Sequence, residues 1–290
     1  MKCLVLGRSG QVASHLAQLM PDATFWGREQ LDLNQNDRIR PAILAAAPSY
    51  IVNAAAYTAV DRAESEREQA WNINATAVAE AAKAANDLNV PLIHISTDYV
   101  FDGTSERAYR VDDPVRPIST YGRTKLAGEI AIETLCSKYL ILRTSWVFSE
   151  FGANFVKTMI RLAGERDSLN VVADQRGIPT YAGDLASVIA AIVRAGNEEQ
   201  VAWGTFHAVG GIEVSWFEFA QKIFALARSR QLIDHEVEVH RISTDAYPTP
   251  AHRPANSRLV PSTELLRPLN VQMDWEKGLE TMLDALITNA

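Results

Sequence analysis

The sequence predicts an α/β protein in which a doubly wound parallel sheet is followed by a smaller C-terminal lobe. In the first half, short apolar runs alternate with longer segments of helical periodicity, and the apolar runs are nearly continuous. Strands of that type belong to parallel sheets that helices cover on both faces, and right-handed crossovers give the doubly wound arrangement. Beyond residue 150 the alternation loosens, which predicts the lobe.

The first half contains five predicted strands: CLVLG (3–7), DATFW (22–26), YIVNAA (50–55), PLIHIST (91–97) and YLILRTSW (139–146). Helices are predicted between them, including an alanine-rich one over 65–87. In the second half, the helix SWFEFAQKIFALARSR follows Ser215, a residue type that caps helix N-termini. The proline-rich segment 244–259 has little periodicity, so we expect a structured loop or a lid there.

Composition and charge exclude several function classes for this chain of 290 residues. The net charge of −7 provides no broad attraction to nucleic acid or anionic lipid. The two cysteines, Cys3 and Cys136, lie far apart without metal-type spacing, which indicates a reducing compartment. We see neither a signal peptide nor an apolar run of the ~18 residues that a membrane span needs. We therefore expect a cytoplasmic protein.

The turn GRSGQVA joins the first predicted strand to the first helix. Glycines allow a tight turn and close approach to a pyrophosphate, and a helix N-terminus offers unpaired N–H groups. The spacing G-x-x-G-x-x-A differs from the G-x-G-x-x-G fingerprint, so a turn without a ligand is the alternative. Its place at the start of the alternation favours a Rossmann-type dinucleotide site. We assign these turn residues to the cofactor: Gly7, Ser9, Gly10, Gln11 and Val12.

The segment after the second strand offers contacts to the adenosine half of a dinucleotide. Arg28 could meet the 2′-phosphate of NADP, while Asp32 and Leu33 could line the adenine pocket. The alternative is a solvated arginine and a surface aspartate. Both NADPH and NADH stay open, with the arginine favouring NADPH.

Two further strands end in residues suited to a binding site. Ligands of open α/β sheets bind at the carboxyl ends of strands. Ala54, Ala55 and Ala56 leave space there for a flat molecule, unless a helix packs against them. The segment STDY (96–99) follows the fourth strand and contains either strand-end caps or site residues. A hydroxyl in this segment could donate to a substrate carbonyl.

Tyr121 and Lys125 are four residues apart in a predicted helix and so share a face. A tyrosine with its ordinary pKa near 10 is a poor acid at neutral pH, and a nearby ammonium lowers that pKa. Such a pair can protonate a carbonyl oxygen as hydride reaches the carbon. Taken alone, the spacing also fits a surface helix pair. The order of glycine turn, strand-end Ser/Thr and Tyr-x-x-x-Lys favours the catalytic interpretation.

That order resembles the extended short-chain dehydrogenase/reductase superfamily, and within it the dTDP-4-dehydrorhamnose reductase family. The resemblance covers almost the whole chain and rests on these segments: GRSGQV, VNAAAYTAVDRAE, STDYVFDG, YGRTKLAGE, LRTSWVF, NFVKTM, DQRGIPT and AYPTPAHRPANSRL. It implies NAD(P)H-dependent reduction of the C4 ketone of dTDP-4-dehydro-6-deoxy-L-mannose to dTDP-L-rhamnose. We accordingly expect a dinucleotide-binding domain over 1–150 and, over 151–290, a mainly substrate-binding lobe partly interleaved with it.

The resemblance also implies roles for individual residues. Tyr121 would be the acid. Lys125 would lower the pKa of Tyr121 and hold the cofactor ribose, and Thr97 would form a hydrogen bond with the ketone or with Tyr121. The implied nucleotide-sugar contacts are Thr58, Asp98, Tyr99, Trp146, Asn154 and Arg253. An indole face suits the apolar side of a deoxysugar, and a guanidinium suits phosphate. The alternatives are a core tryptophan for Trp146 and structural contacts for Asn154 and Arg253.

One departure concerns metal and assembly. Some members dimerise through a magnesium ion held by glutamates, and at the matching places this chain has His15 and Gly183. We therefore expect no bound metal, and at most a homodimer of another kind. Two alternative functions stay open. One is reduction of another nucleotide 4-ketosugar, and the other is a non-catalytic dinucleotide-binding subunit resembling that of methionine adenosyltransferase.

Overall fold

The computed structural model describes residues 2–196 and 202–288. The strands are β1 (Cys3–Leu6), β2 (Thr24–Trp26), β3 (Tyr50–Asn53), β4 (Leu92–Thr97), β5 (Tyr139–Thr144), β6 (Val147–Phe148), β7 (Ser168–Val172), β8 (Arg176–Gly177), β9 (Thr180–Tyr181), β10 (Gly204–His207), β11 (Val214–Ser215), β12 (Glu238–Ile242) and β13 (Asn256–Ser257).

The α-helices are α1 (Gln11–Leu19), α2 (Asn36–Ala46), α3 (Arg67–Trp71), α4 (Ala77–Leu88), α5 (Thr120–Leu135), α6 (Phe155–Ala163), α7 (Ala182–Ala195), α8 (Trp216–Ser229), α9 (Thr263–Leu266) and α10 (Trp275–Thr288). Short 3₁₀ turns lie at Arg62–Glu64, Asp98–Val100 and Thr244–Ala246.

The central sheet has six parallel strands in the order β10-β5-β4-β3-β1-β2. Successive strand residues point to opposite faces, so Leu4 packs in a core with α2 and α4, while Val5 packs in a core with α1 and α7. Both faces are therefore apolar, which is why the strands are nearly continuous apolar runs. The predicted α/β fold with a doubly wound parallel sheet is confirmed.

The predicted helix over 65–87 differs from the structure. It begins at Arg67 and is interrupted by a π-helical turn at Asn72–Thr76. Inside this turn the Asn74 side chain accepts a hydrogen bond from Tyr57 N at 2.8 Å and donates to Thr124 Oγ1 at 3.0 Å. The wider turn thus places a buried amide between a loop at the sheet edge and α5, a local widening often found at functional sites.

Residues beyond 150 contribute to two separate cores. Strand β10 and helix α7 belong to the central sheet and its covering layer. A second core, including Phe148, Val156 and Phe219, lies among α6, α8 and α10. Helix α8 begins at the predicted cap Ser215, whose hydroxyl accepts from Glu218 N at 3.1 Å. A domain boundary at residue 150 stays a prediction.

Candidate active site

The carboxyl ends of β1, β3, β4 and β5 open into a cavity of about 1040 Å³. This volume is at the upper end of the range for small-molecule sites and leaves room for an extended ligand. Every residue predicted from the sequence as a cofactor, catalytic or substrate residue lines this cavity, although their roles stay predictions. They are Gly7, Ser9, Gly10, Gln11, Val12, Arg28, Asp32, Leu33, Ala54, Ala55, Ala56, Thr58, Thr97, Asp98, Tyr99, Tyr121, Lys125, Trp146, Asn154 and Arg253.

The glycine turn presents backbone rather than side chains to the cavity. Gly7 has φ of +117°, and a Cβ there would lie 3.2 Å from the Ala54 carbonyl carbon, so a side chain would be both strained and crowded. Gly10 caps α1 without any side-chain hydrogen bond. The first N–H groups of α1 are therefore available to an anion. These features fit the pyrophosphate of a dinucleotide.

Two arginines line the cavity beside the turns that follow β1 and β2. Arg28 is largely exposed, with its Nε 3.8 Å from Asp32 Oδ2. Hydrogen bonds from the Asn34 backbone and side chain hold the pKa of Asp32 below its usual value. Arg8 also lines the cavity beside Gly27, and the sequence prediction missed it. Arg8 lies between Gly7 and Gly10 of the turn, and this position in the sequence could have identified it as a cavity residue.

The first turn of α5 is held tightly against the end of β4. Ser119 caps the helix by accepting from Gly122 N at 3.1 Å, and Glu64 accepts from Thr120 N at 2.7 Å. A Cβ on Gly122 would lie 2.2 Å from the carbonyl oxygen of Tyr99, so only glycine permits this contact. Tyr121 and Thr97 both line the cavity there, and the Thr97 hydroxyl donates to Asp98 Oδ1 at 3.1 Å and accepts from Tyr99 N at 3.2 Å.

The electrostatics of Tyr121 differ from the sequence prediction. Burial raises the pKa of Tyr121 and the nearby Asp98 raises it further, while the hydrogen bond with Thr97 opposes both. The expected lowering by Lys125 is absent because the lysine Nζ instead donates to Ile95 O at 2.7 Å and lies 3.1 Å from His94 Nε2. Tyr121 is therefore protonated at neutral pH, the form that a proton donor needs.

Lys125 is almost completely buried beneath the cavity. The residue is 2% exposed, and this desolvation lowers the pKa of its ammonium group to about 8, with the charge of Glu129 opposing the shift. A lysine with this pKa still carries its charge at neutral pH but gives up its proton far more readily than an exposed lysine.

Two of the residues predicted to contact the nucleotide sugar, Arg253 and Asn154, are engaged in contacts within the protein. Arg253 donates to Asp61 Oδ2 at 2.9 Å, and Ala251 N donates to Asp61 Oδ1 at 3.3 Å. The proline-rich segment 244–259 is thereby fastened to the loop after β3. Asn154 caps α6 by accepting from Lys157 N at 3.1 Å, and its amide donates to Gln11 Oε1 at 3.0 Å.

Trp146 lines the cavity but does not present a free ring face. Its indole stacks on Trp216 with centroids 3.5 Å apart, and a Cβ on Gly177 would lie 2.5 Å from the same ring. The backbone of Trp146 has φ of +51°, a strained value for a bulky residue. Packing of a sugar on the indole face that Trp216 covers would therefore require this stack to open. Trp216 is a lining residue that the helical pattern of α8 concealed.

Burial also raises the pKa of the Asp98 carboxyl to about 6, against opposing hydrogen bonds from Ser257 and Thr97.

At the positions relevant to metal binding, His15 Nε2 lies 3.0 Å from Ser149 Oγ and 3.5 Å from Glu150 Oε2. Within residues 2–196 and 202–288, no group of three His, Cys, Asp or Glu side chains could hold a metal ion. Over the same described ranges, every helix is too short or too polar to cross a membrane.

Comparison with known proteins agrees with this geometry. Residues 1–288 match the family model described as the RmlD substrate binding domain. The chain is 44% identical to dTDP-4-dehydrorhamnose reductase of Sinorhizobium fredii, over 99% of this chain and 98% of that protein. It is 40% identical to the Escherichia coli K12 enzyme of the same name, over 99% of both chains.

A solved structure of dTDP-4-dehydrorhamnose reductase from Bacillus anthracis in complex with NADP has a TM-score of 0.88 to this chain at 37% identity, covering 98% of this chain and 99% of that one. A probable dTDP-4,6-dihydroxy-2-methyloxan-3-one 4-ketoreductase of Streptomyces antibioticus is 37% identical over 89% of this chain and 86% of that protein. The full-length family match and these identities show that the chain belongs to the RmlD substrate binding domain family, alongside the dTDP-4-dehydrorhamnose reductases.

Proposed function

We propose that this protein is an NAD(P)H-dependent dTDP-4-dehydrorhamnose reductase. It reduces the C4 ketone of dTDP-4-dehydro-6-deoxy-L-mannose to dTDP-L-rhamnose, the last step of dTDP-rhamnose synthesis. The observation that carries this proposal is a cavity in which Thr97, Tyr121 and Lys125 meet the glycine turn, in a chain 40–44% identical to reductases of that name over its full length.

The chain's own residues supply binding, orientation and a proton. The uncapped N-terminus of α1 and the Gly7 turn would hold the pyrophosphate, and the bound cofactor supplies hydride to the ketone carbon. Tyr121, kept protonated by its raised pKa, donates its phenolic proton to the ketone oxygen. The ammonium group of Lys125, held by Ile95 O beneath the cavity, would anchor the cofactor ribose, and Thr97 would orient the tyrosine hydroxyl. Preorganised donors of this kind act most strongly where charge develops.

The test is reduction of dTDP-4-dehydro-6-deoxy-L-mannose, with NADPH and NADH run side by side. The purified protein should oxidise either cofactor only when the substrate is present and should form dTDP-L-rhamnose. Tyr121→Phe should bind cofactor without turnover. A folded, cofactor-binding wild type that forms no product would contradict the proposal and favour the non-catalytic binding subunit.

A second candidate is reduction of a related dTDP-4-ketosugar, and the 37% identity to the Streptomyces ketoreductase favours it over other classes. Competition between the two sugars in one assay discriminates between them, because the physiological substrate has the larger kcat/KM.

We further infer a cytoplasmic location, because both free cysteines are buried and unpaired and a reducing compartment suits such thiols. We also infer that any homodimer forms without a bridging metal, since His15 pairs with Ser149 and Glu150 within the chain. Light scattering with and without a chelator tests this second inference, and a chelator-sensitive dimer would contradict it.

A further inference from the structure

A chain of buried polar groups runs beneath Lys125, and the mechanism above does not use it. The Ala55 N–H donates to Asn53 Oδ1 at 3.2 Å. Asn53 Nδ2 lies 3.1 Å from His94 Nδ1, and His94 Nε2 lies 3.1 Å from Lys125 Nζ. His94 is completely buried and Asn53 nearly so. The chain thus joins the cavity wall at Ala55 to the lysine nitrogen through β3 and β4.

The hydrogen positions follow from donor and acceptor rules. Because Asn53 Oδ1 accepts from the Ala55 backbone, its Nδ2, which can only donate, must face His94 Nδ1. A neutral imidazole has one donor and one acceptor nitrogen, so an accepting Nδ1 places the proton on Nε2. His94 is neutral because burial, and then the charge of Lys125, hold its pKa well below the usual value. The Nε2–H therefore points at Lys125.

A donor facing a lysine nitrogen is satisfied only by the lone pair of the neutral amine. An ammonium group would place two donors head to head, or would require Asn53 to flip and give up its bond to Ala55. The carbonyl of Ile95 accepts from Lys125 in either protonation state. The direction of the hydrogen bonds from Asn53 through His94 therefore favours the neutral amine form of Lys125.

We propose that His94, oriented by Asn53, is a positioning residue that directs its Nε2–H at Lys125 and stabilises the amine form of that lysine. The proposal deepens the reductase function and rests on it. It means that the orientation of His94, in addition to burial, keeps the pKa of Lys125 at about 8.

The other charged groups around Lys125 do not replace this effect. On its own helix, Glu129 favours the ammonium, but that carboxylate is paired with Arg143 of β5 at 2.7 Å. At the end of β4, Asp98 acts mainly on Tyr99 and Tyr121.

Three further elements packed against α5 present groups that are neutral or already paired. On α4, Lys83 and Glu80 form an ion pair at 2.6 Å. In the 3₁₀ turn before α3, Glu64 accepts from Thr120. The π-helical turn presents only the neutral Asn74 amide to α5.

The direct test is an NMR titration of the wild-type protein labelled with ¹⁵N in histidine rings and ¹³C at lysine Cε. We expect a Lys125 pKa of about 8, and a His94 that stays neutral and is the Nε2–H tautomer above that pH, where Lys125 is the amine. An Nδ1–H tautomer above that pH, an imidazolium, or an ordinary lysine pKa would overturn the proposal. Because the measurement needs no turnover, an absence of reductase activity would contradict the proposed function separately.

The variant Asn53→Asp reverses the direction of the hydrogen bonds that join residue 53, His94 and Lys125. In Asn53→Asp the carboxylate still accepts from Ala55 N–H but must also accept from His94 Nδ1–H, so Nε2 becomes an acceptor that favours the ammonium. Activity needs that ammonium, so the alkaline limb of kcat should move up by about one pH unit, a tenfold change in proton affinity. The control Asn53→Ala removes the amide that orients His94 and introduces no charge. It should therefore shift the alkaline limb of the kcat–pH profile less than Asn53→Asp does.

A double variant separates this route from simple attraction between charges. In a His94→Leu background, Asn53→Asp should produce less than half of its shift on the wild-type protein. An undiminished shift would show that the aspartate acts through space and would overturn the role of His94. A lowered kcat with an unmoved pH profile would show a structural role only. If Asn53→Asp does not fold, the wild-type titration alone decides.

Discussion

The two ends of the cavity are built differently. At the end proposed to bind the cofactor (the cofactor end), the glycine turn and the uncapped N-terminus of α1 offer backbone donors that have no partners within the turn. At the end proposed to bind the nucleotide sugar (the substrate end), Arg253 and Trp146 are occupied by Asp61 and Trp216. The cofactor end is therefore ready to bind, whereas binding at the substrate end must exchange existing contacts. Order of binding follows: we expect the dinucleotide to bind to the free protein, and the nucleotide sugar to bind second.

Lys125 lies between the two ends, and its replacement should have the largest effect. Lys125→Met removes the buried ammonium group and with it the predicted contact to the cofactor ribose. We expect kcat to fall by about 10²–10⁴, with a higher Kd for NADPH measured by fluorescence. Lys83→Met on the outer face of α4 is the matched control, since Lys83 pairs only with Glu80. Loss of kcat with unchanged NADPH affinity would confine Lys125 to the chemical step.

The arginines at the cofactor end should determine the choice between NADPH and NADH. Arg8→Ala combined with Arg28→Ala removes two cations flanking the adenosine pocket. Loss of a charge-assisted contact to a 2′-phosphate should lower kcat/KM for NADPH about tenfold, while kcat/KM for NADH changes little. An equal loss with both cofactors would show that the arginines shape the turn instead of reading the phosphate.

The carboxylates of the two ends should respond to pH in opposite directions. The Asp98 pKa is raised to about 6 in the folded protein, so the stability that it contributes is present below the unfolded pKa and is lost as pH rises through the folded value. Relative to Asp98→Asn, the wild type should lose about 2 kcal/mol between pH 4 and 7.

The Asp32 pKa is lowered, so its stabilisation is present above the ordinary value and is lost as pH falls. Relative to Asp32→Asn, the wild type should therefore become less stable toward acid. Thermal unfolding of the three proteins across this pH range measures both effects. Parallel profiles for the two variants would contradict the difference between the two ends.

The smallest effect is expected at the Asp61–Arg253 pair, which is partly exposed. Such pairs contribute about 1 kcal/mol or less. Asp61→Asn should release Arg253 for a substrate phosphate and lower the KM for the nucleotide sugar about two- to fivefold, with NADPH affinity unchanged. Arg253→Ala should raise that KM. An increased KM in Asp61→Asn would mean that the pair holds Arg253 ready for substrate.

The cofactor end was accessible to sequence reasoning because its features are local. A glycine turn between a strand and a helix, and Tyr121 with Lys125 one helical turn apart, are visible in consecutive residues. The substrate end depends on contacts between distant segments, such as Asp61 with Arg253 and Trp146 with Trp216. His94 stayed hidden for the same reason, since an imidazole in an apolar strand gives no local sign of its partner. The raised pKa of Tyr121 is a consequence of burial, which spacing alone does not reveal.

Strand β10 has a consequence for how the chain reaches its native state during synthesis. A ribosome that has released only the first 150 residues has produced five strands of the central sheet, but β5 then has an unpaired edge and the layer over α1 lacks α7. Exposed edges and apolar faces of this kind invite pairing with other chains. The nascent first half therefore needs protection until residues 204–207 emerge, and a truncated gene product ending near 150 should aggregate.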